Sequence, residues 1–151
     1  MSHPTFRLEE LTAKNAEDAK QRSREPSQEA NEISHAVVGA AIEVHRTLGP
    51  GYIESIYERA LAIELSDRGI GFDQQVTVPI MYRDTIVGEH RLDLLAGGLV
   101  VVEIKAVASL TDAHFAQVLS YLKATSLELA LIFNFHARTL VQGTKRMVRT
   151  I

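Results

Sequence analysis

Apolar residues recur at helical spacing from Asn31 onward, with Ile33, Val37, Ala40, Ala41, Val44 and Leu48 falling on one face. Asn31 is a candidate cap for this first helix, and Gly49-Pro50-Gly51 stops it. A second helix is expected over residues 54–68, burying Ile56, Tyr57, Ala60, Leu61 and Leu65 and ending at Gly69, a residue suited to a left-handed cap. The period then changes to two. Phe72, Gln74, Val76 and Val78 share one parity while Asp73, Gln75, Thr77 and Pro79 share the other, the pattern of a half-buried strand. A turn near Arg83-Asp84 leads to a second strand over residues 86–95, and Ala96-Gly97-Gly98 turns into a third over 99–105, completing an antiparallel meander.

Residues 109–112 have helix-start character, and Phe115, Val118, Leu119 and Leu122 give the segment that follows an apolar face as far as about Ala124. Residues 129–135 form a continuous apolar run of strand length, as expected for a strand buried on both faces, and a short strand or helix is expected within 139–149. The order helix, helix, three strands, helix, strand predicts an α/β sandwich around a mixed sheet. Residues 1–30 differ: Pro4 and Pro26 interrupt, charges alternate in sign, and apolar side chains are nearly confined to Phe6, Leu8 and Leu11. So little to bury predicts a polar, flexible tail, with at most a short helix over 6–20, ahead of a domain over 31–151.

Composition narrows the chemistry. A chain of 151 residues with 46% apolar and 23% charged residues is ordinary for one globular domain. Its apolar runs fall short of a membrane span, and its start lacks a basic stretch leading into an apolar one, so a cytoplasmic protein without a membrane is expected. The absence of cysteine excludes disulfides, thiolate metal sites and a cysteine nucleophile. No G-x-S-x-G elbow, phosphate-binding lysine loop or H-E-x-x-H pair occurs. The formal charge of −3 argues against a general basic coat, yet residues 129–151 carry Arg138, Lys145, Arg146 and Arg149 and no acid.

Side chains alternate along the third strand, so Glu103 and Lys105 lie on one face with Val101. Taken alone, an acid and a lysine two apart at a strand end make an ordinary ion pair. Asp93, near the end of the adjacent strand, changes the picture. Two carboxylates at one end of a sheet repel unless a cation joins them, and oxygen donors of this kind suit Mg²⁺ or Mn²⁺. Parity sets a condition. A two-residue Gly97-Gly98 turn would put Asp93 on the opposite face from Glu103, whereas a three-residue Ala96-Gly97-Gly98 connection, or a bulge, returns it to the same face with the carboxylates within ~6 Å.

Asp93 followed by Glu103-Ile104-Lys105, in HRLDLLAGGLVVVEIKA, resembles the D…ExK signature of the PD-(D/E)XK nuclease superfamily. Upstream, Gly51-Tyr52-Ile53-Glu54-Ser55-Ile56-Tyr57 matches the motif that names the GxxExxY family of that superfamily, and His114, Gln117 and Tyr121 in HFAQVLSYL fit its helix after the ExK strand. The resemblance runs from about Asn31 to the C-terminus. It implies a restriction-endonuclease-like sandwich, a mixed central sheet flanked by helices. It also implies a divalent ion held by Asp93, Glu103 and the backbone carbonyl of Ile104, with a water on that ion as nucleophile. Lys105 would activate the water or stabilise charge beside the scissile phosphate. Glu54 would grip the metal or a bound water, and Gln117 would touch the Lys105 side of the site or a phosphate.

His114, Gln117 and Tyr121 lie at i, i+3 and i+7, one polar stripe that is either an ordinary hydrogen-bonded helix face or part of a nucleic-acid surface. Tyr57 and His45 are expected to be structural. Arg91 is expected to pair with a site carboxylate. Lys145, Arg146 and Arg149 are either a solvated face or an edge that tracks phosphates. The expected function is divalent-metal-dependent phosphodiester hydrolysis, with DNA as substrate. The alternative is a non-catalytic module that keeps the fold and binds nucleic acid or protein. A homodimer would let a small single-site domain cut both strands at once.

Overall fold

The computed structural model describes residues 25–149, and the expected polar tail up to residue 24, with its short helix, lies outside them. Helix α1 (Gln28–Leu48) begins three residues before Asn31 because Ser27 is the cap: its hydroxyl accepts the Ala30 N–H at 3.1 Å. Helix α2 (Glu54–Asp67) buries Tyr57, Leu61 and Leu65, a stripe four residues apart, and Gly69 follows it with a positive φ of 72°. Ile56, expected in the core, is 40% exposed on the outer flank, beyond the reach of the sheet. Tyr57 locks the turn between the two helices, donating to the Gly49 carbonyl at 2.6 Å, accepting the Tyr52 N–H at 3.2 Å and stacking on Phe135 at 4.4 Å.

The strands are β1 (Phe72–Tyr82), β2 (Thr85–Ala96), β3 (Val100–Lys105), β4 (Leu129–Asn134) and β5 (Thr144–Val148), with α3 (Asp112–Thr125) between β3 and β4 and a single turn of helix, α4 (Leu140–Gly143), before β5. Residues 139–149 thus hold both a helical turn and a strand. The sheet order is β1-β2-β3-β4-β5, with β3 and β4 parallel and the other pairs antiparallel. This is the mixed, helix-flanked sheet of a restriction-endonuclease-like fold. Strands β3 and β4 are buried on both faces, as their unbroken apolar runs require. One core joins α1 and α2 to Leu94, Val102, Ile104, Leu131 and Phe133. The other joins α3, through Val118, Tyr121 and Leu122, to Val101, Ala130 and Ile132. No described helix is long and apolar enough to cross a membrane.

One irregularity breaks the expected alternation. Gln74 pairs with Leu94 and Val76 with Leu92, but Gln75 and Asp93 between them form no register pair, and Gln75 has φ of 51°. The β1–β2 ribbon changes face there. Phe72, Leu94 and Ala96 pack in the α1/α2 layer, whereas Val76, Val78 and Leu92 pack in the α3 layer. In an uninterrupted strand Leu92 and Leu94 would share a face. Phe72 and Val78 therefore lie in different cores, and Asp93 sits at the crossing point.

Candidate active site

The hairpin between β2 and β3 decides whether the carboxylates meet. Its register pairs Ala96 with Val100, Leu95 with Val101 and Leu94 with Val102, so the connection is Gly97-Gly98-Leu99. It has the expected three residues, displaced by one position. Gly97 and Gly98 both take positive φ, 57° and 68°, and the Leu99 N–H closes the turn on the Ala96 carbonyl at 3.0 Å. Gly97 has a second constraint: a Cβ there would meet the Ile33 side chain at 2.5 Å. With Leu99 as the extra residue, parity is kept and Asp93 comes beside Glu103.

The β2–β3 ladder ends at Leu94 and Val102. Beyond it the Ile104 N–H, which would otherwise bond the β2 backbone, donates to Asp93 Oδ2 at 2.8 Å. A strand residue's carbonyl lies on the same edge as its N–H, so the Ile104 carbonyl faces the same opening. Glu103 points toward α3 and is 5% exposed. Its Oε1 lies 3.3 Å from Lys105 Nζ, while its Oε2 is buried with no hydrogen-bond partner. Burial, and then the negative field of Asp93, raise Glu103 from its ordinary 4.5 to about 8, against the pull of Lys105. Lys105 Nζ also donates to Gln117 Oε1 at 3.2 Å. Tyr121, pushed up to about 12 by burial and then by the fields of Glu103 and Asp93, lies one turn after Gln117 on α3. Asp93, Glu103, Lys105, Gln117 and Tyr121 thus converge.

The donor set fits a hard divalent cation: two carboxylates and a carbonyl, one carboxylate oxygen being buried and unpartnered. Among the described residues no three acidic or histidine side chains stand close enough together to hold an ion. Water would have to complete the shell, as is usual for Mg²⁺. Comparison with protein families matches residues 31–147 to the PD-(D/E)XK nuclease superfamily. The chain belongs to that superfamily. No curated protein and no solved structure matches it significantly. Membership points to a nuclease-type function, and nucleases of this superfamily usually use divalent metals.

The two acids of α2 are placed differently relative to Asp93. Glu54, the first residue of α2, is exposed. Glu58, one turn later, is half-buried, accepts the Gln74 and Gln75 amides at 3.1 and 2.6 Å, and has its carboxyl raised by burial and by the field of Asp93. It is Glu58 that faces the Asp93 crossing point. The signal was present, because residues four apart share a helix face, but only the packing of α2 tells which turn reaches β2.

Other expected contacts separate. His114 Nδ1 accepts the Thr111 N–H at 3.0 Å in a capping box, which makes it first a cap of α3. Arg91 is exposed and forms no ion pair with Asp93 or Glu103 among the described residues; the face change between them removes the shared face on which the pairing was expected. His45 is structural, its Nε2 bonded to the Ala137 carbonyl at 2.9 Å. The three basic residues of β5 and its end do not form one surface. Lys145 pairs with Ile132 on the α3 face, in the same cross-strand row as Glu103. Arg146 faces the α1 side and donates to Asn31 Oδ1 at 2.5 Å. Arg149, at the far end of the sheet, bonds the Leu122 carbonyl at 3.5 Å. Asn134, which the sequence did not single out, is buried, and its amide clamps the Val107 N–H and carbonyl at 3.1 and 2.9 Å, fixing the chain that leaves Lys105.

Proposed function

We propose that this protein is a divalent-metal-dependent nuclease of the GxxExxY type that hydrolyses phosphodiester bonds in DNA. The observation that carries the reading is the buried, unpartnered Glu103 Oε2 beside Asp93, with Lys105 on the same carboxylate. A buried carboxyl of this kind is costly unless a cation or a proton satisfies it. Asp93, Glu103 and the Ile104 carbonyl would hold Mg²⁺ or Mn²⁺, with Glu58, rather than Glu54, adding negative charge from α2. When bound, the ion supplies Lewis-acid activation of water and of the phosphoryl oxygen. Lys105 would place its ammonium where negative charge develops on the phosphate, and Gln117 would hold Lys105 toward that position. Tyr121, protonated throughout the neutral range, would close the α3 side and present a hydroxyl rather than a charge.

Purified wild-type and Lys105→Ala proteins should be compared on labelled single- and double-stranded DNA and RNA with Mg²⁺, Mn²⁺ or chelator. Metal-dependent cutting of DNA that falls by ~10² to 10⁴ in the variant is expected. Equal cutting by both, or none by the wild type on any substrate, would transfer the case to a non-catalytic binding module.

A further inference from the structure

On the far side of Tyr121 from the carboxylates lies a cavity of about 300 Å³ between the outer β1–β2 ribbon and α3. That is the lower end of the range for small-molecule sites. Pro79 and Met81 form apolar walls, His90 and Ser120 form a polar edge, and Lys123 and Ala124 close the α3 side. The lining is largely apolar, while Lys123 is exposed. The His90 ring meets Tyr121 edge-on at 4.6 Å, so one aromatic ring separates this cavity from Glu103. His90 is three residues before Asp93, roughly 10 Å along the strand. The Ser120 hydroxyl donates to the Gln117 carbonyl and lies 3.1 Å from His90 Nε2, so the two side chains hold each other at the polar edge.

We infer that this cavity is a nucleobase subsite, taking a base of the strand whose neighbouring phosphate is cut, with Lys123 on the backbone beside it. An apolar slot with one polar edge and a cation at its rim is the chemistry that accepts an unstacked base and its phosphate. The inference rests on the nuclease reading, because continuity with Asp93 and Glu103 through Tyr121 selects a nucleotide over other flat ligands. It implies that single-stranded or frayed DNA is bound better than intact duplex.

The test uses the full chain with a fluorescent single-stranded DNA oligonucleotide, in chelator for binding and in Mn²⁺ for cleavage. Ala124→Leu fills the slot and Lys123→Gln removes the rim charge; neither touches the carboxylates. Each is expected to weaken oligonucleotide binding about tenfold while leaving the Mn²⁺-induced rise in melting temperature at its wild-type value. Melting curves identify any variant that fails to fold, and the second then decides. Wild-type affinity in both folded variants, or tighter binding to duplex than to single strand, would overturn the subsite while leaving the nuclease reading intact. Absence of both oligonucleotide binding and cleavage in the wild type would overturn both.

Discussion

Glu103→Gln replaces the raised carboxyl with a neutral group of the same size, and its effect on stability has a defined sign. In the metal-free fold this carboxyl titrates near 8 instead of 4.5. Between those values the folded chain keeps a proton that the unfolded chain has released, so stability falls as pH rises and levels off above 8. At ~1.4 kcal/mol per pH unit, and with the slope fading near the folded value, passing from pH 6 to pH 8 removes about 2 kcal/mol. For a domain of this size that is roughly 6–10 °C in melting temperature. The glutamine variant lacks this contribution, so it should gain on wild type by that amount over the same interval. Contributions from groups outside the site are common to both proteins and cancel in the difference. Thermal and urea melts in chelator at pH 6, 7 and 8 measure it. Adding Mg²⁺ should stabilise wild type more at pH 8 than at pH 6, because the ion and the proton compete for the same oxygens, and should barely move the variant. Parallel pH curves for the two proteins would refute the burial argument for Glu103.

Glu58→Gln should weaken Mn²⁺ binding, read as the metal-induced melting shift, by roughly tenfold, as removal of a supporting polar group typically does, while Glu54→Gln should leave it near wild type; the opposite ranking would restore the first turn of α2 to the site. Lys145→Ala should flatten the salt dependence of DNA affinity by about one unit, whereas Arg149→Ala should lower stability by about 1–2 kcal/mol and leave that slope unchanged; filter binding across a salt series and urea melts separate the two. Asn134→Ala removes both bonds to Val107 and should cost about 2–3 kcal/mol by denaturant unfolding.

Much of this was readable from spacing because strand parity is a strict rule. Glu103 and Lys105 share a face in any strand, and the two glycines before them pointed to a connection long enough to bring Asp93 to it. The displacement of that connection by one residue was not readable, since Leu99 carries no turn signal and is expelled from the ladder only by the positive φ of both glycines. The face change at Gln75 was less readable still. Glutamine has no preference for the left-handed region, and only the opposing cores on the two faces of the sheet require it there. That event hid Glu58, because it is the bent β1 that presents Gln74 and Gln75 to this acid. The division of the basic residues after β4 was not readable while strand and helix both stood open there; once β5 is a strand, alternation alone divides Lys145 from Arg146.

Several departures from local rules meet at the carboxylates. Within one corner of the fold lie a non-glycine residue at φ of 51°, a ladder bond replaced by a carboxylate, a buried carboxyl oxygen without a partner and a lysine shared between Glu103 and Gln117. Left-handed backbone and an unsatisfied buried group each cost on the order of 1–3 kcal/mol. Elsewhere Ser27 and Thr111 cap their helices and Tyr57 satisfies the turn it closes, while Arg83 and Ser126 take positive φ in turns and Arg149 Nε is buried without a partner. A module that only bound nucleic acid or protein through its surface would gain nothing from a destabilised interior, and replacing Asp93 and Glu103 by apolar residues would relieve it. The expense is intelligible on the proposed function, in which Asp93 and Glu103 would hold a divalent cation that offsets their mutual repulsion and Lys105 would be left to face the phosphate. On the proposed function, the stability of the metal-free protein and its capacity to bind metal would be opposed at the same two side chains.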